Sequence, residues 1–324
     1  MRTTTLGTHG PQVGVIGLGA MGMSFMYDMA APRDEATSVS VIHQALDLGV
    51  TLIDTADVYG PHTNEELLGR ALTGHRDRAV LATKVGRVVA DPTGAPGNLP
   101  VIAGNGRPEH VRAAIDASLR RLGTDHVDLY QLHRVDPEVP IEETWGAMAE
   151  AVAAGKARYL GLSEVTVEQI RRARTVHPVT TVQSEFSLWT RDVQAEVLPY
   201  CERHGIGLLP YSPLGRGFLA GRFTSFDELP HHDHRRRLPR FQQDNLRANL
   251  AIAATVRQVA DRIDATPAQV ALAWLLAQGP HVVPIPGTKT PKYLADNAGA
   301  AHVRLSAADL ADLDAVPAPV GARY

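Results

Sequence analysis

Four side chains that can transfer or stabilise a proton lie where apolar runs of strand length end. Asp54 ends one such run and Tyr59 follows it, Lys84 follows the next run, and His133 follows a third. In a closed barrel of parallel strands these ends converge on one rim, where polar residues are typical of catalysis. We therefore predict that the four side chains form one catalytic site.

The chemistry that suits this set is the reduction of a carbonyl by hydride. Hydride addition leaves negative charge on the oxygen, and Tyr59 can neutralise it by donating its phenolic proton. A nearby Lys84 ammonium would favour the phenolate and lower the pKa of Tyr59 from about 10 toward working pH. Asp54 would pair with Lys84 and keep it charged, and His133 would donate a hydrogen bond to the substrate oxygen.

Each of these residues alone has a simpler interpretation. Asp54 could be a satisfied buried acid, Tyr59 a packing residue and His133 a core residue. Lys84 is the most specific of the four, because only four of the 32 lysines and arginines are lysines and because burying an unpaired ammonium costs free energy. It is the combination at successive strand ends that favours catalysis.

Eight apolar runs alternate with amphipathic segments, as in a parallel sheet covered by helices. The strand candidates are residues 13–16, 51–54, 80–83, 127–132, 159–162, 181–184, 206–210 and 282–285. The helix candidates are residues 38–48, 108–122, 141–154, 166–176, 193–204, 249–263, 267–278 and 291–298.

Eight parallel strands close into a barrel, so we predict a single (β/α)8 TIM-barrel domain over residues 1–324. Two long connections, 86–107 and 213–248, follow strand ends and should lie on the active face. Residues 305–324 should form a last helix and a tail beyond the barrel.

The first strand candidate runs into Gly17-Leu18-Gly19-Ala20-Met21-Gly22, which has the form of a dinucleotide-binding fingerprint. A Rossmann fold would require a long helix next and then a strand that ends in an acidic residue. The helical stretch 23–31 is instead broken at Pro32, and the next strand candidate begins at Thr51. A glycine-rich turn in a barrel is favoured, with a Rossmann dehydrogenase as an alternative.

Composition narrows the function classes. The 324 residues are 44% hydrophobic, and their net charge of -3 provides no basic field for nucleic acid. Cys201 is the single cysteine, which fits a reducing compartment. No apolar stretch of about 20 residues and no hydrophobic leader occurs, so we expect a cytoplasmic protein that spans no membrane. The histidine- and arginine-rich run 231–237 lacks a second ligand cluster, and no metal site is predicted.

Around these residues the sequence resembles the aldo-keto reductase superfamily. The segment Ile53-Asp54-Thr55-Ala56-Asp57-Val58-Tyr59-Gly60 is similar to the family signature around its catalytic Asp and Tyr, and Lys84 and His133 fall where the family has its Lys and His. The resemblance covers nearly the whole chain. It implies a (β/α)8 barrel, reduction of a small-molecule carbonyl, and NADP(H) bound in an extended pose.

The resemblance also assigns the cofactor-binding residues. Ser163 and Gln183 match the residues that bind the carboxamide, and Tyr211 matches the aromatic residue that stacks on the nicotinamide. The loop Ser212-Pro213-Leu214-Gly215-Arg216-Gly217 matches the family's pyrophosphate loop. The remaining implied cofactor residues are Gly19, Met21, Asp54, Ile285, Gly287, Thr288, Lys289, Tyr293, Asp296 and Asn297.

Two positions depart from the family pattern. Glu164 stands where Asn is frequent after the serine, and Tyr293 stands where Gln or Arg is frequent. Short motifs at 17–24 and 238–241 resemble the branch of bacterial and plant reductases of broad carbonyl specificity. Substrate contacts are expected from the connection 86–107, from the tail beyond Pro317, and from Phe25, Tyr27, Tyr59, His133 and Trp189. A cofactor-sensing protein with little turnover is the alternative from another functional class, and the sequence does not indicate the oligomeric state.

Overall fold

The computed structural model describes residues 1–27, 34–91 and 101–324. In chain order the strands are β1 (Thr3–Thr5), β2 (Gln12–Gly14), β3 (Leu18–Gly19), β4 (Leu52–Asp54), β5 (Val80–Val85), β6 (Arg87–Asp91), β7 (Val101–Gly104), β8 (Val127–Leu132), β9 (Ala157–Ser163), β10 (Thr181–Glu185) and β11 (Gly207–Tyr211). Seven of them form a parallel sheet in the order β3, β4, β5, β8, β9, β10 and β11. The strands follow one another around the sheet in sequence order, as in a barrel.

Helices follow the barrel strands and cover their outer side. They are α1 (Glu35–Asp47), α2 (Thr63–Ala71), α3 (Pro108–Leu122), α4 (Ile141–Ala153), α5 (Val167–Arg174), α6 (Val197–Arg203), α7 (Gln243–Arg262), α8 (Pro267–Leu276), α9 (Pro291–Gly299) and α10 (Ala307–Asp314). Local signals set several ends: Thr166, Thr266 and Ser306 each form a capping box. Helix α3 begins at Pro108 and ends at Gly123, whose φ is 62°.

Residues 282–287 close the barrel between β11 and β3. Val283 and Ile285 donate backbone hydrogen bonds to Leu208 and Pro210 of β11. On the other side the amides of Gly17 and Gly19 donate to the carbonyls of Pro284 and Pro286. Because proline has no amide hydrogen, Pro284 and Pro286 return no bond to β3 and Pro210 of β11 donates none to the segment, which explains why the segment has only isolated bridges. The predicted eight-stranded architecture is confirmed, with an irregular last strand.

A hairpin of β1 and β2 covers the end of the barrel opposite to the strand ends that carry the chemistry. The two strands pair antiparallel. Leu6 and Val13 join the interior core with Leu52, Ala82, Leu129, Leu209, Val283 and Ile285. The prediction that residues 13–16 form the first barrel strand is therefore wrong. Val13 packs against the barrel interior, whereas Val15 and Ile16 pack against Leu272, Ala300 and Ala301 of the outer layer. Leu18–Gly19 is the first barrel strand.

The glycine-rich segment 17–22 does not begin a Rossmann unit. It continues from β3 into a single 3-10 turn at Met21–Met23, and Gly19 pairs in parallel with Asp54. No long helix begins within the described residues 21–27; residues 28–33, which include part of the predicted stretch 23–31, lie outside the described residues. The Rossmann alternative is therefore wrong.

The two long connections contain more regular structure than the sequence indicates. Strands β6 and β7 form a hairpin within 86–107, of which residues 92–100 lie outside the described residues. The connection 213–248 contains four 3-10 turns and the start of α7. Helix α2 was not predicted, because its apolar positions are few and its charges many. Helix α10 occupies most of the last predicted helix.

Gly161 provides a test of the interior packing. A methyl group there would lie against Thr181 Oγ1, 3.0 Å from Gln131 Cγ and 3.3 Å from the Thr181 carbonyl oxygen. We expect Gly161→Ala to lower the free energy of unfolding by about 1–3 kcal/mol because the close-packed interior must move. The measurement is urea denaturation.

Gly146→Ala is the matched control, because a methyl group at this position of α4 meets nothing within 4 Å. It should raise the free energy of unfolding by roughly 0.5–1 kcal/mol through helix propensity. Equal effects of the two substitutions would contradict the packing described for Gly161.

Candidate active site

Lys84 is buried at the end of β5 and holds its ammonium between Asp54, Thr55 and Tyr59. Its Nζ donates to Asp54 Oδ1 at 2.5 Å, to the Thr55 backbone oxygen at 2.7 Å and to the Tyr59 hydroxyl at 3.3 Å. All three ammonium donors are thus matched. Burial lowers the pKa of Lys84, but Asp54 and Tyr59 outweigh burial, so its pKa lies above the ordinary value.

Two glutamines hold the other carboxylate oxygen of Asp54. Gln131 Nε2 and Gln183 Nε2 each donate to Asp54 Oδ2 at 2.9 Å, and Gln183 Nε2 also lies 3.2 Å from Gln131 Oε1. Lys84 and Gln131 are direct partners in the β5–β8 register. Side chains from three barrel strands therefore fix the carboxylate that the fourth, β4, carries, and that carboxylate in turn fixes the ammonium.

Tyr59 lies under the same rim, where its phenol contacts the ammonium. Burial raises the pKa of Tyr59 and Lys84 lowers it, with a net direction above the ordinary value of 10.0. The expectation of a net lowering is wrong in this structure. The physical reason is that burial, the largest cause, disfavours the phenolate, and that Asp54 also raises the pKa of Tyr59 against the lowering by Lys84. Tyr59 therefore keeps its proton at neutral pH.

His133 follows β8 and faces the edge of the Tyr59 ring. The two ring centroids lie 5.7 Å apart at 89°. Burial, helped by Lys84, Arg134 and Arg87, holds the pKa of His133 well below its usual range. Its Nδ1 is buried and has no hydrogen-bond partner among the described residues. The imidazole is thus neutral, and each ring nitrogen is available to a ligand according to its tautomer.

A hydroxyl pair and an arginine line the next part of the rim. Tyr211, at the end of β11, has its hydroxyl 3.0 Å from that of Tyr324 and 3.5 Å from Arg134 Nη2. Arg134 Nη1 donates to the His133 carbonyl at 2.6 Å and to Ser163 Oγ at 3.1 Å. Residues that end or follow β8, β9 and β11 and a residue of the tail therefore meet beside the Tyr59 phenol.

Glu185 and Arg216 form a buried ion pair beneath this rim. Arg216 donates to both carboxylate oxygens of Glu185, at 2.9 and 2.8 Å. Tyr324 donates to Glu185 Oε2 at 3.1 Å, and the guanidinium of Arg216 lies 5.2 Å from the centre of the Tyr324 ring. The pair joins β10, the loop after β11 and the tail.

Glu164, one of the departures from the family pattern, has two partners of its own. Its Oε1 accepts the backbone amide of Glu185 at 2.8 Å, and its Oε2 accepts Arg323 Nη2 at 2.5 Å. Glu164 has a φ of 54°, a backbone conformation that few non-glycine residues adopt. Here a carboxylate binds the tail where the family frequently has an amide.

The loop 212–217 turns sharply and is braced from behind. Ser212, Gly215, Arg216 and Gly217 all have positive φ, at 48°, 55°, 57° and 96°. Arg235 donates to the Arg216 carbonyl at 2.8 Å and pairs with Asp233. The buried brace fixes a loop whose glycines leave its backbone unobstructed.

The closing segment brings a second backbone close to β3. Gly19 pairs with Gly287 by a parallel bridge, and a Cβ on Gly19 would lie 3.0 Å from the Ile285 carbonyl oxygen. Thr288 accepts the amide of Thr290 in front of α9, and Ile285 is buried in the barrel core.

Helix α9 carries the last three predicted cofactor residues. Tyr293 is exposed, Asn297 is buried, and Asp296 accepts a hydrogen bond from Thr266 Oγ1 at 2.9 Å. Asp296 therefore also has a structural partner at the start of α8.

The predicted substrate residues divide into two groups. Phe25 stacks on Tyr59 with ring centroids 6.2 Å apart. Tyr27 lies under the guanidinium of Arg235, and burial raises its pKa. Trp189 is instead buried in a separate aromatic cluster, with its ring 4.1 Å from that of Phe218. The structure brings Phe25, Tyr59 and His133 together and leaves Trp189 packed elsewhere.

Several residues of the site were not identified from the sequence. Gln131 lies two residues before His133 in an alternating strand, a signal that could have identified it. Arg87, Arg134 and Glu185 follow or end strands, but arginine and glutamate are frequent there for other reasons. Arg323 and Tyr324 lie in the tail beyond Pro317 that was expected to reach the substrate, but neither residue was singled out, because their contacts join positions more than 100 residues apart.

Two kinds of feature are missing from the described residues. Residues 1–27, 34–91 and 101–324 contain no group of three or more histidine, cysteine or acidic side chains that could hold a metal ion. In the same ranges no helix is long and apolar enough to cross a membrane.

Comparison with known proteins gives the family. The model of the Aldo/keto reductase family matches residues 15–318. The chain is 45% identical over 323 residues to the "Probable aldo-keto reductase 1" of Glycine max, covering 98% of this chain and 90% of that protein. The chain belongs to the aldo/keto reductase family and is an oxidoreductase, as the sequence motifs predict.

Solved structures of aldo/keto reductases and of a glycerol dehydrogenase have a similar fold. A glycerol dehydrogenase from Gluconobacter oxydans superimposes with a TM-score of 0.86 at 31% identity, covering 96% of this chain and 94% of that one. An aldo/keto reductase from Klebsiella pneumoniae, solved in complex with NADP and acetate, gives a TM-score of 0.75 at 28% identity, covering 100% and 99%.

The depressed pKa of His133 predicts a pH-dependent stability. An unfolded histidine takes up a proton as the pH falls below 6.5, whereas the buried His133 resists protonation. Its contribution to the free energy of unfolding is therefore complete above pH 6.5 and is lost below it, by at most about 1.4 kcal/mol per pH unit. We expect His133→Gln to reduce this loss of stability. The measurement is urea denaturation at a series of values from about pH 5 to about pH 7.5, which span the ordinary pKa of histidine.

His302→Gln is the control, because His302 is exposed on the barrel exterior. It should keep the acid dependence of the parent chain. An unchanged acid dependence in His133→Gln would show that His133 is not the titrating group.

Proposed function

We propose that the protein reduces aldehydes or ketones to alcohols with NADPH as hydride donor and Tyr59 as proton donor. The observation that carries the proposal is the contact of the Tyr59 hydroxyl with Lys84 Nζ at 3.3 Å, inside a site whose ammonium is fixed by Asp54. The oxidoreductase family and the NADP-bound neighbour support it. The chemistry needs one hydride, supplied by bound NADPH, and one proton, supplied by the chain.

The described residues fit such a cofactor. The loop 212–217 turns sharply through four residues with positive φ, and Gly19 and Gly287 approach each other without a Cβ. Lys289 at the start of α9 suits a 2′-phosphate, because a helix N-terminus and a cation both favour an anion. Ser163, Gln183 and Tyr211 would hold the nicotinamide end, and Asp296 and Asn297 the adenosine end.

Residues of the chain would then have separate roles in the reaction. Phe25 and His133 flank the phenol, so that a carbonyl oxygen between Tyr59 and His133 receives two hydrogen bonds. Tyr59 gives its proton to that oxygen as negative charge develops, and Lys84 stabilises the phenolate that remains. His133 is neutral because of its lowered pKa and therefore donates a hydrogen bond without competing for the proton.

Replacement of Tyr59 by phenylalanine tests the assignment. We expect Tyr59→Phe to lower kcat for reduction of a simple aldehyde by roughly 10²–10⁴-fold, the usual contribution of a general acid. NADPH binding, followed by quenching of tryptophan fluorescence, should change little because only the hydroxyl is lost. Turnover is followed by the loss of NADPH absorbance.

Tyr200→Phe is the matched control, because the Tyr200 hydroxyl contacts Arg174 on the outer helices, away from the rim. It should retain parental turnover. Parental turnover in Tyr59→Phe would exclude Tyr59 as the proton donor. Tight NADPH binding by the parent chain without reduction of any carbonyl would favour a cofactor-sensing protein instead.

A further inference from the structure

The charges around the catalytic phenol are almost all paired. Three cations have carboxylate partners there: Lys84 with Asp54, Arg216 with Glu185, and Arg323 with Glu164. Two further guanidiniums, Arg87 and Arg134, form no ion pair with any carboxylate that the structure describes. Among the described residues of the rim, these two positive charges therefore have no ion-pair partner.

Arg134 is held beside the site by neutral groups. It follows His133 directly and donates to the His133 carbonyl, to Ser163 Oγ and, at longer range, toward the Tyr211 hydroxyl. These contacts fix the position of the guanidinium. None of them neutralises its charge, and a planar guanidinium has five donors, so some remain for a ligand.

Arg87 approaches the same place from the hairpin after β5. It is the first residue of β6 and pairs with Gly104 of β7. Side chains two residues apart in a strand lie on one face, and Val89, on the face of Arg87, packs with Phe25 and Tyr59. Arg87 is therefore directed to the side of the hairpin that covers the catalytic phenol.

The two guanidiniums affect the groups between them. Burial is the largest cause of the lowered pKa of Arg87, and the positive charge of Arg134 is the second. The two cations therefore lie close enough to repel each other. Both also lower the pKa of His133. Half-buried like charges without a counter-ion are unfavourable, and an oxyanion with its oxygens in the fork of a guanidinium removes that penalty.

We propose that Arg87 and Arg134 form a subsite for an oxyanion carried by the substrate. The substrate class is then a carbonyl compound with a carboxylate or phosphate group, bound with its carbonyl oxygen at Tyr59 and His133 and its anionic group at the two arginines. This inference rests on the proposed reductase function and specifies its substrate.

Matched substrates test it with the full-length enzyme and NADPH. One pair is 4-carboxybenzaldehyde and its methyl ester, and the other is glyceraldehyde 3-phosphate and glyceraldehyde. We expect kcat/KM to favour the anionic member by about ten- to hundredfold, the effect of one or two charge-assisted hydrogen bonds. The difference should lie mainly in KM and decrease as KCl is added. Comparison of the two pairs shows whether carboxylate or phosphate is preferred.

Variants separate substrate anchoring from a general effect on the reaction. In Arg87→Met and in Arg134→Met the ratio of kcat/KM between anionic and uncharged member should fall toward one, and Arg87→Lys should restore part of it. Because the ratio is compared with that of the parent enzyme, differences in intrinsic reactivity between acid and ester cancel. Arg171→Met, which removes an exposed arginine on α5, should leave the ratio unchanged.

Three results would contradict the proposal. If the parent enzyme reduces the anionic and uncharged members equally well, the oxyanion subsite is wrong and the reductase function stands. If the arginine variants lower kcat for both members equally and keep the ratio, the arginines act on the reaction itself and do not anchor the substrate. If none of the four compounds is reduced while NADPH binds, the proposed reductase function fails, and the inference fails with it.

Discussion

The buried ion pair between Lys84 and Asp54 constrains the whole active site. An ammonium in a barrel interior is tolerable only with a partner close by, and the removal of one member of such a pair commonly costs about 3–5 kcal/mol. The pair requires β4 and β5 to be neighbours in register, and it requires Gln131 and Gln183 to hold the second carboxylate oxygen. Tyr59 then has a fixed cation to face, and its position follows from that of the strands.

Electrostatic balance around the phenol decides what the phenol can do. Burial, with Asp54 acting in the same direction, outweighs Lys84 and holds the pKa of Tyr59 above its ordinary value, so the phenol keeps its proton. Burial also keeps His133 neutral, and for this side chain the nearby cations act in the same direction as burial. A site in which the acid stays protonated and the imidazole stays neutral suits proton donation to a developing alkoxide.

The barrel and the grouping of the four rim residues could be predicted from the sequence, because the carboxyl ends of parallel strands in a barrel meet at one rim. Asp54, Tyr59, Lys84 and His133 were identified in that way, and the structure brings them together. The sign of the pKa shift of Tyr59 could not be predicted, because it depends on how deeply the phenol is buried. Residues 13–16 were misassigned because an apolar run shows that it is buried but not which surface covers it. Arg323 and Tyr324 reach the site through tertiary folding alone.

The one-directional seam that joins Pro284 and Pro286 to β3 has a consequence for how firmly the barrel is closed. Proline fixes its own backbone torsion but supplies no donor, so the joint between the last and first strands combines a stiff chain with a sparse ladder. Gly19 and Gly287 face each other directly beyond this joint. Fewer interstrand hydrogen bonds therefore hold the two backbones together at this joint than at the regular strand pairs of the barrel.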